Sequence, residues 1–188
     1  LGNAGRGGGG ANIYRGHDNV QGATDIGPNP DSLPGYYGIA DGSFKHWARV
    51  WNVDYEWLKG RYAPGMMNKP GITVSRWIDG ILENNENVDQ SSNLRAVVFW
   101  GHAPNSQSRG SEMLEAMKKL DLMVVLDPYP SASAAMFAKV RKDGAYLLPI
   151  GTQFECEGSV TASNRSLQWR ERVIEPLFES RTDHMVMY

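Results

Sequence analysis

Apolar positions change their spacing twice along the chain. From Leu1 to Gly42 the sequence is rich in Gly, Asn, Asp and Pro with little apolar period, which predicts irregular backbone and tight turns, the cluster Pro28-Asn29-Pro30-Asp31 among them. Phe44, Trp47, Val50 and Trp51, then Tyr55 and Leu58, follow the three-and-four spacing of an amphipathic helix and predict one over Phe44–Lys59. Behind Thr73, placed as an N-cap, Val74, Trp77, Ile78, Ile81 and Leu82 form the stripe of a second helix. Both stripes are read as core packing rather than as a cofactor box.

After the polar stretch Asn84–Asn93, short continuous apolar runs alternate with helical segments. Leu94–Trp100, Leu122–Leu126 and Ala145–Pro149 predict strands, with helices at Ser111–Leu120 and Ser131–Lys142 between them. Such runs predict a parallel sheet reached by βαβ crossovers, so the expected fold class is α/β, with helices on both faces in a Rossmann-like half. Val173 and Ile174 predict a last short helix that Pro176 limits. The expected division is a Gly-rich segment over 1–43 and an α/β portion over 44–188.

Composition narrows the classes. A chain of 188 residues allows one domain, or one with an irregular extension. Lys and Arg number 19 against 21 Asp and Glu, so the basic footprint of a nucleic-acid binder is missing. Apolar residues make up 41% of the chain, enough for a core, yet no run approaches the ~18–20 residues of a membrane span. The single cysteine, Cys156, excludes an internal disulfide, a Cys₄ zinc site and a self-contained cysteine-ligated iron–sulfur cluster. Of the 21 glycines, twelve fall in the first 42 positions. The chain starts at Leu1 without a signal-like leader and reads as a piece of something longer.

In an open parallel sheet, ligands bind beyond the carboxyl ends of the strands. Gly101, His102, Asn105 and Ser106 follow the first strand, Asp127 and Ser131 the second, and 151–165 the third. A strand-end carboxylate can accept hydrogen bonds from a ribose or a guanine edge, so the three turns together suit a nucleotide-like ligand. The GxGxxG and GxxxxGK[ST] loops are both missing, which argues against NAD and ATP. Arg15, beside Gly16, suits a bidentate grip on a small carboxylate, and His17 suits acid–base or donor work. His46, His102 and His184 lack metal-ligand spacing, so no protein-ligated metal is expected.

Four stretches in order resemble formate dehydrogenase catalytic subunits of the molybdopterin oxidoreductase superfamily. Arg15-Gly16-His17-Asp18-Asn19-Val20-Gln21-Gly22-Ala23-Thr24-Asp25 resembles RGxxNVQGxxD. Val97–Ser106 resembles a strand with a G-x-N-P-like loop, read here as GHAPN, and Val124–Pro128 with Ser131 resembles a strand-end Asp with Thr four residues on. Leu148-Pro149, Glu155-Cys156-Glu157-Gly158, Arg165 and Gln168 resemble ILP…E-x-E-G…R-x-x-Q.

The resemblance implies a bis(molybdopterin guanine dinucleotide) cofactor carrying molybdenum or tungsten, with formate oxidised to carbon dioxide. It also implies an iron–sulfur cluster elsewhere in the subunit and an iron–sulfur electron-transfer subunit as partner. Arg15 is implied to orient formate with His17 nearby. Gly16, Asn19, Gln21, Gly101, His102, Asn105, Ser106, Asp127, Ser131 and Gly158 are the implied cofactor contacts. No counterpart of the family's metal-ligating cysteine or selenocysteine is found, so the chain is expected to be an internal segment, inactive without the rest of the subunit. A periplasmic location is implied, with the cytoplasm as the alternative. Two other readings stay open: a binding or assembly module without redox chemistry, and a relative acting on another oxyanion such as nitrate.

Overall fold

In chain order the elements are helix α1 (Val20–Ile26), two-residue strands β1 (Ser32–Leu33) and β2 (Tyr37–Gly38), and helices α2 (Asp41–Trp51), α3 (Tyr55–Lys59) and α4 (Asp79–Leu82). Strand β3 (Ala96–Trp100), helix α5 (Gly110–Lys119), strand β4 (Leu122–Asp127), helix α6 (Ala132–Val140) and strand β5 (Tyr146–Pro149) follow. Strands β6 (Gly158–Thr161) and β7 (Leu167–Arg170) and helix α7 (Asp183–Met187) complete the chain. This computed structural model describes residues 2–11, 13–27, 32–61, 72–83, 86–88, 90, 92–102 and 109–187. The turn expected at Pro28–Asp31 and the candidates Asn105 and Ser106 lie outside the described residues. The chain forms two compact units, Leu1–Pro70 with Gly158–Arg170, and Gly71–Glu157 with Glu171–Tyr188.

The second unit is the α/β portion. Strands β3, β4 and β5 lie side by side in that order and all parallel, with Val98 opposite Val124 and Val124 opposite Tyr146. Helix α5 carries the chain from β3 to β4 and α6 from β4 to β5, which gives a parallel sheet flanked by helices, as the alternation of apolar runs predicts. Side chains alternate along a strand, so Phe99, Met123 and Val125 enter the core. There they meet Ile78 just before α4 and Ile81 within it, Met113, Ala116 and Met117 of α5, and Phe137 of α6. The ring of Phe99 stacks on Phe137 at 6.0 Å and receives Trp77 edge-on at 5.8 Å between centroids.

The end of α5 is closed by a side chain rather than by a glycine. Leu120 at its C-cap is extended, so the last carbonyls of the helix need outside donors. Buried Arg141 supplies them, donating to Met117 O and Leu120 O at 2.8 Å and to Asp121 O at 3.2 Å. Its Nε donates to Gly144 O at 2.6 Å.

In the first unit, Leu33, Phe44, Ala48 and Leu58 form a small core against Ile39, Trp47, Val53 and Tyr55. The single helix expected over Phe44–Lys59 is two helices. Asn52 takes the left-handed conformation at φ 53° and ends α2, and Asp54 starts α3 by accepting the Trp57 N–H at 2.8 Å. Phe44 and Ala48 make the buried face, while Val50 and Trp51 stay exposed.

Three other expectations are corrected. The stripe after Thr73 does bury Ile78 and Ile81, but over a 3₁₀ turn at Val74–Arg76 and the short α4 instead of one helix. The Thr73 hydroxyl bonds Ser75 Oγ at 3.0 Å instead of capping, and Asn93 Nδ2 takes the Gly80, Ile81 and Glu83 carbonyls and ends α4. No helix forms at Val173–Ile174, because both N–H groups donate to Phe154 O and neither side chain finds a core; the last helix is α7. The segment before Gly42 is not all irregular: it holds α1 and the β1–β2 pair, and its short elements gain their stability from packing that no local apolar period reveals.

Candidate functional site

In the first unit, Arg15, His17, Asp18, Asn19 and Gln21 line an open cavity of about 400 Å³ together with Val160, Thr161, Ser163 and Gln168 of the β6–β7 hairpin. The walls are built from the turn before α1 and from a hairpin far along the chain. Arg15, Gly16 and His17 are exposed. Neither Arg15 nor His17 makes a side-chain hydrogen bond or ion pair with another described residue, so the guanidinium keeps its full fork of donors for a ligand.

The polar residues just after them are committed to the scaffold. Asn19 Oδ1 accepts the Thr161 backbone N–H at 2.9 Å. Gln21 is buried and its Nε2 donates to the Tyr36 hydroxyl at 2.7 Å and to the two Asp25 carboxylate oxygens at 3.0 and 3.1 Å. Arg165 comes within 3.7 Å of Asp25 and lies over the Tyr36 ring. Thus Asn19 Oδ1, Gln21 Nε2 and Asp25 are bonded within the fold, while Arg15 and His17 are exposed.

In the second unit the chemistry sits at strand ends. Gly101 closes β3 in the left-handed region at φ 55°, a conformation glycine adopts without strain, and its N–H donates to Leu126 O at 2.8 Å. His102, exposed, has its ring near Phe99. Asp127 Oδ1 accepts the Tyr129 N–H at 3.3 Å, leaving Oδ2 without a hydrogen-bond partner among the described residues. Ser131 caps α6 by accepting the Ala134 N–H at 3.2 Å, and its hydroxyl proton is still available as a donor.

Below the ends of β4 and β5, Tyr129, Ile150, Glu155 and Phe178 are among the residues lining a second cavity of about 570 Å³. Glu155 is buried, accepting from Thr152 N and Oγ1 and from Leu177 N, each at 2.7 Å. The Thr152 backbone bond, then its hydroxyl, then the Leu177 bond hold this carboxyl below the ordinary glutamate range. A pKa lowered on folding contributes stability that is fully present above the unfolded value and is lost as pH falls through the folded one. Thermal scans of the intact protein should therefore show Tm falling once pH drops below about 4.3. Glu155→Gln should lower Tm at neutral pH and flatten that acid slope. An unchanged slope in the variant removes Glu155 from the acid response.

Comparison with protein families matches the molybdopterin oxidoreductase family over residues 1–187. The chain belongs to the molybdopterin oxidoreductase family. Membership implies a molybdopterin cofactor with molybdenum or tungsten. Among similar proteins, the Bacillus subtilis (strain 168) protein named probable oxidoreductase YjgC is 34% identical over 189 residues, covering 100% of this chain and 16% of the relative. The F420-dependent formate dehydrogenase subunit alpha of Methanocaldococcus jannaschii is 27% identical over 188 residues, 100% of this chain and 24% of that protein. The formate dehydrogenase subunit alpha of Megalodesulfovibrio gigas is 28% identical over 207 residues, 94% of this chain and 20% of that protein. The chain thus spans between about a sixth and a quarter of the length of these molybdopterin oxidoreductase relatives.

Of the candidate residues, Arg15, His17, Asn19 and Gln21 share one cavity, and Gly16 lies between the first two. Gly101, His102, Asp127 and Ser131 belong to the α/β unit. Gly158 opens β6 at φ 148°, a backbone that favours glycine. Sequence reasoning reached Thr161 and Ser163 only within the stretch 151–165, without placing them beside Arg15, and missed Tyr36 as the partner of Gln21. No local pattern marks them, since each acquires its role across a long sequence separation.

Proposed function

We propose that the protein carrying this chain is the catalytic subunit of a formate dehydrogenase, oxidising formate to carbon dioxide at a molybdenum or tungsten centre of bis(molybdopterin guanine dinucleotide). Electrons leave toward iron–sulfur clusters in the rest of the subunit and an iron–sulfur partner subunit. The observation that carries this reading is Arg15, exposed on a cavity wall and without another described partner, beside His17. Several relatives named formate dehydrogenase, aligned over nearly the whole chain, support it.

The residues present suit the cofactor in their donor set. Asp127 Oδ2 can accept from a guanosine edge or ribose, the Ser131 hydroxyl can donate to the same portion, and Gly101 turns the backbone at the strand end without strain. When bound, the cofactor supplies the acceptor for the two electrons that formate oxidation releases. The protein's own contribution is orientation: the Arg15 guanidinium binds both carboxylate oxygens through parallel N–H bonds and so directs the C–H bond. His17 holds a hydrogen bond to the substrate or takes up the released proton. In this reading the segment alone is inactive, and the location is periplasmic.

The test is purification of the intact subunit, with pterin and metal analysis and formate-dependent dye reduction. A pterin guanine dinucleotide with molybdenum or tungsten, together with formate turnover, is the expected result. No pterin would point to a binding or assembly module, and nitrate turnover without formate turnover would point to a relative acting on another oxyanion.

A further inference from the structure

We propose that Asn19 is a positioning residue for Arg15: its carboxamide, stapled to the Thr161 backbone, sets where the guanidinium stands in the cavity. This rests on the reading of Arg15 as the group that orients formate. Apart from the hydrogen-bonded turn at Asp18–Asn19, residues 13–18 show no backbone hydrogen bond with another described residue, and the side chains of Arg15, His17 and Asp18 show none either. The turn therefore inherits its place from its first anchored neighbour, Asn19.

Three features make that anchor specific. An asparagine just before a helix ordinarily caps that helix, whereas Asn19 makes no such bond and sends Oδ1 to Thr161 N at 2.9 Å, 142 residues away. Its backbone is left-handed at φ 56° and ψ 16°, which asparagine and aspartate tolerate better than other non-glycine residues. Space for the staple exists because residue 22 is glycine: a Cβ there would stand 2.2 Å from Asn19 Oδ1 and 2.9 Å from Thr161 Oγ1. The Gln21 bond to the Tyr36 hydroxyl ties α1 to the residue beyond β1, so a rotation at Asn19 passes into the turn before the helix. Arg15 stands four residues before Asn19 across bends and a turn, so a rotation at Asn19 is carried to the guanidinium. A misplacement of about 1 Å can cost ~100-fold in rate.

Two substitutions in the intact subunit separate the staple from other roles. Asn19→Gly keeps the left-handed backbone and removes the acceptor; Asn19→Asp keeps both. Amide hydrogen exchange at Thr161 should quicken about tenfold in Asn19→Gly, the loss of one hydrogen bond, and stay near the original rate in Asn19→Asp. kcat/KM for formate should fall at least tenfold in Asn19→Gly, with pterin and metal content kept. Unchanged Thr161 exchange in Asn19→Gly overturns the staple. Faster exchange with unchanged kcat/KM overturns the positioning of Arg15, and pterin loss in both variants makes Asn19 a cofactor contact instead. If the unsubstituted subunit turns over no formate, the functional reading falls, and Thr161 exchange still decides the staple.

Discussion

With formate as the proposed substrate, Arg15→Lys in the intact subunit is expected to lower kcat/KM for formate by about 100-fold while leaving Tm unchanged. The reason is geometric rather than a matter of charge. Lysine keeps the positive charge but presents it as a point, so the pair of parallel N–H bonds to a carboxylate is lost. A charge-assisted hydrogen bond contributes roughly 1.5–3 kcal/mol net, and each ~1.4 kcal/mol is a factor of ten in rate. Stability should be indifferent, because the side chain is exposed and bonds no other described residue. Steady-state formate kinetics and a thermal scan on the same preparation check both halves. Kinetics matching the unsubstituted enzyme would take Arg15 out of the mechanism.

The second large effect falls on stability. Arg141→Met should destabilise the α/β unit by about 3 kcal/mol, since it strips donors from three carbonyls at the end of α5 and from Gly144 O. Methionine matches the length of the arginine stem, so lost packing is a small part of the change. The guanidinium also stands at the negative end of the α5 dipole, which adds to its worth. At roughly 4–8 °C per kcal/mol for a unit of about 100 residues, its transition should drop by about 12–24 °C. Scanning calorimetry of the intact protein reads it. Arg141→Lys should recover only part, because one ammonium cannot reach carbonyls spread across the end of a helix and the following turn. A shift under about 2 °C for Arg141→Met would show that water satisfies those carbonyls.

The α/β portion was readable because its signals are local. The continuous runs Ala96–Trp100 and Leu122–Asp127 have strand length, are bounded by turns and enclose the amphipathic α5, so parallel pairing and crossover follow from period and spacing, while the register is seen only in the structure. The helix boundaries were less readable. Asn52 could sit inside a helix on propensity alone, and it leaves α2 because Asp54 caps α3. Likewise Val173 and Ile174 carry apolar side chains without a face to bury, and Phe154 O takes their N–H groups first.

By itself the sequence determined the fold class and the family, since these depend on residue type, order and short-range spacing. Only the tertiary structure decided how the Arg15–Asp25 stretch divides its labour. All four polar residues line one cavity, but Arg15 and His17 are exposed there without a described partner, while Asn19 Oδ1 is bonded to Thr161 and Gln21 Nε2 to Tyr36 and Asp25. A polar side chain serves a ligand or the scaffold according to whether another part of the chain satisfies its hydrogen bonds. That depends on contacts between residues as far apart as Asn19 and Thr161, which no local pattern encodes.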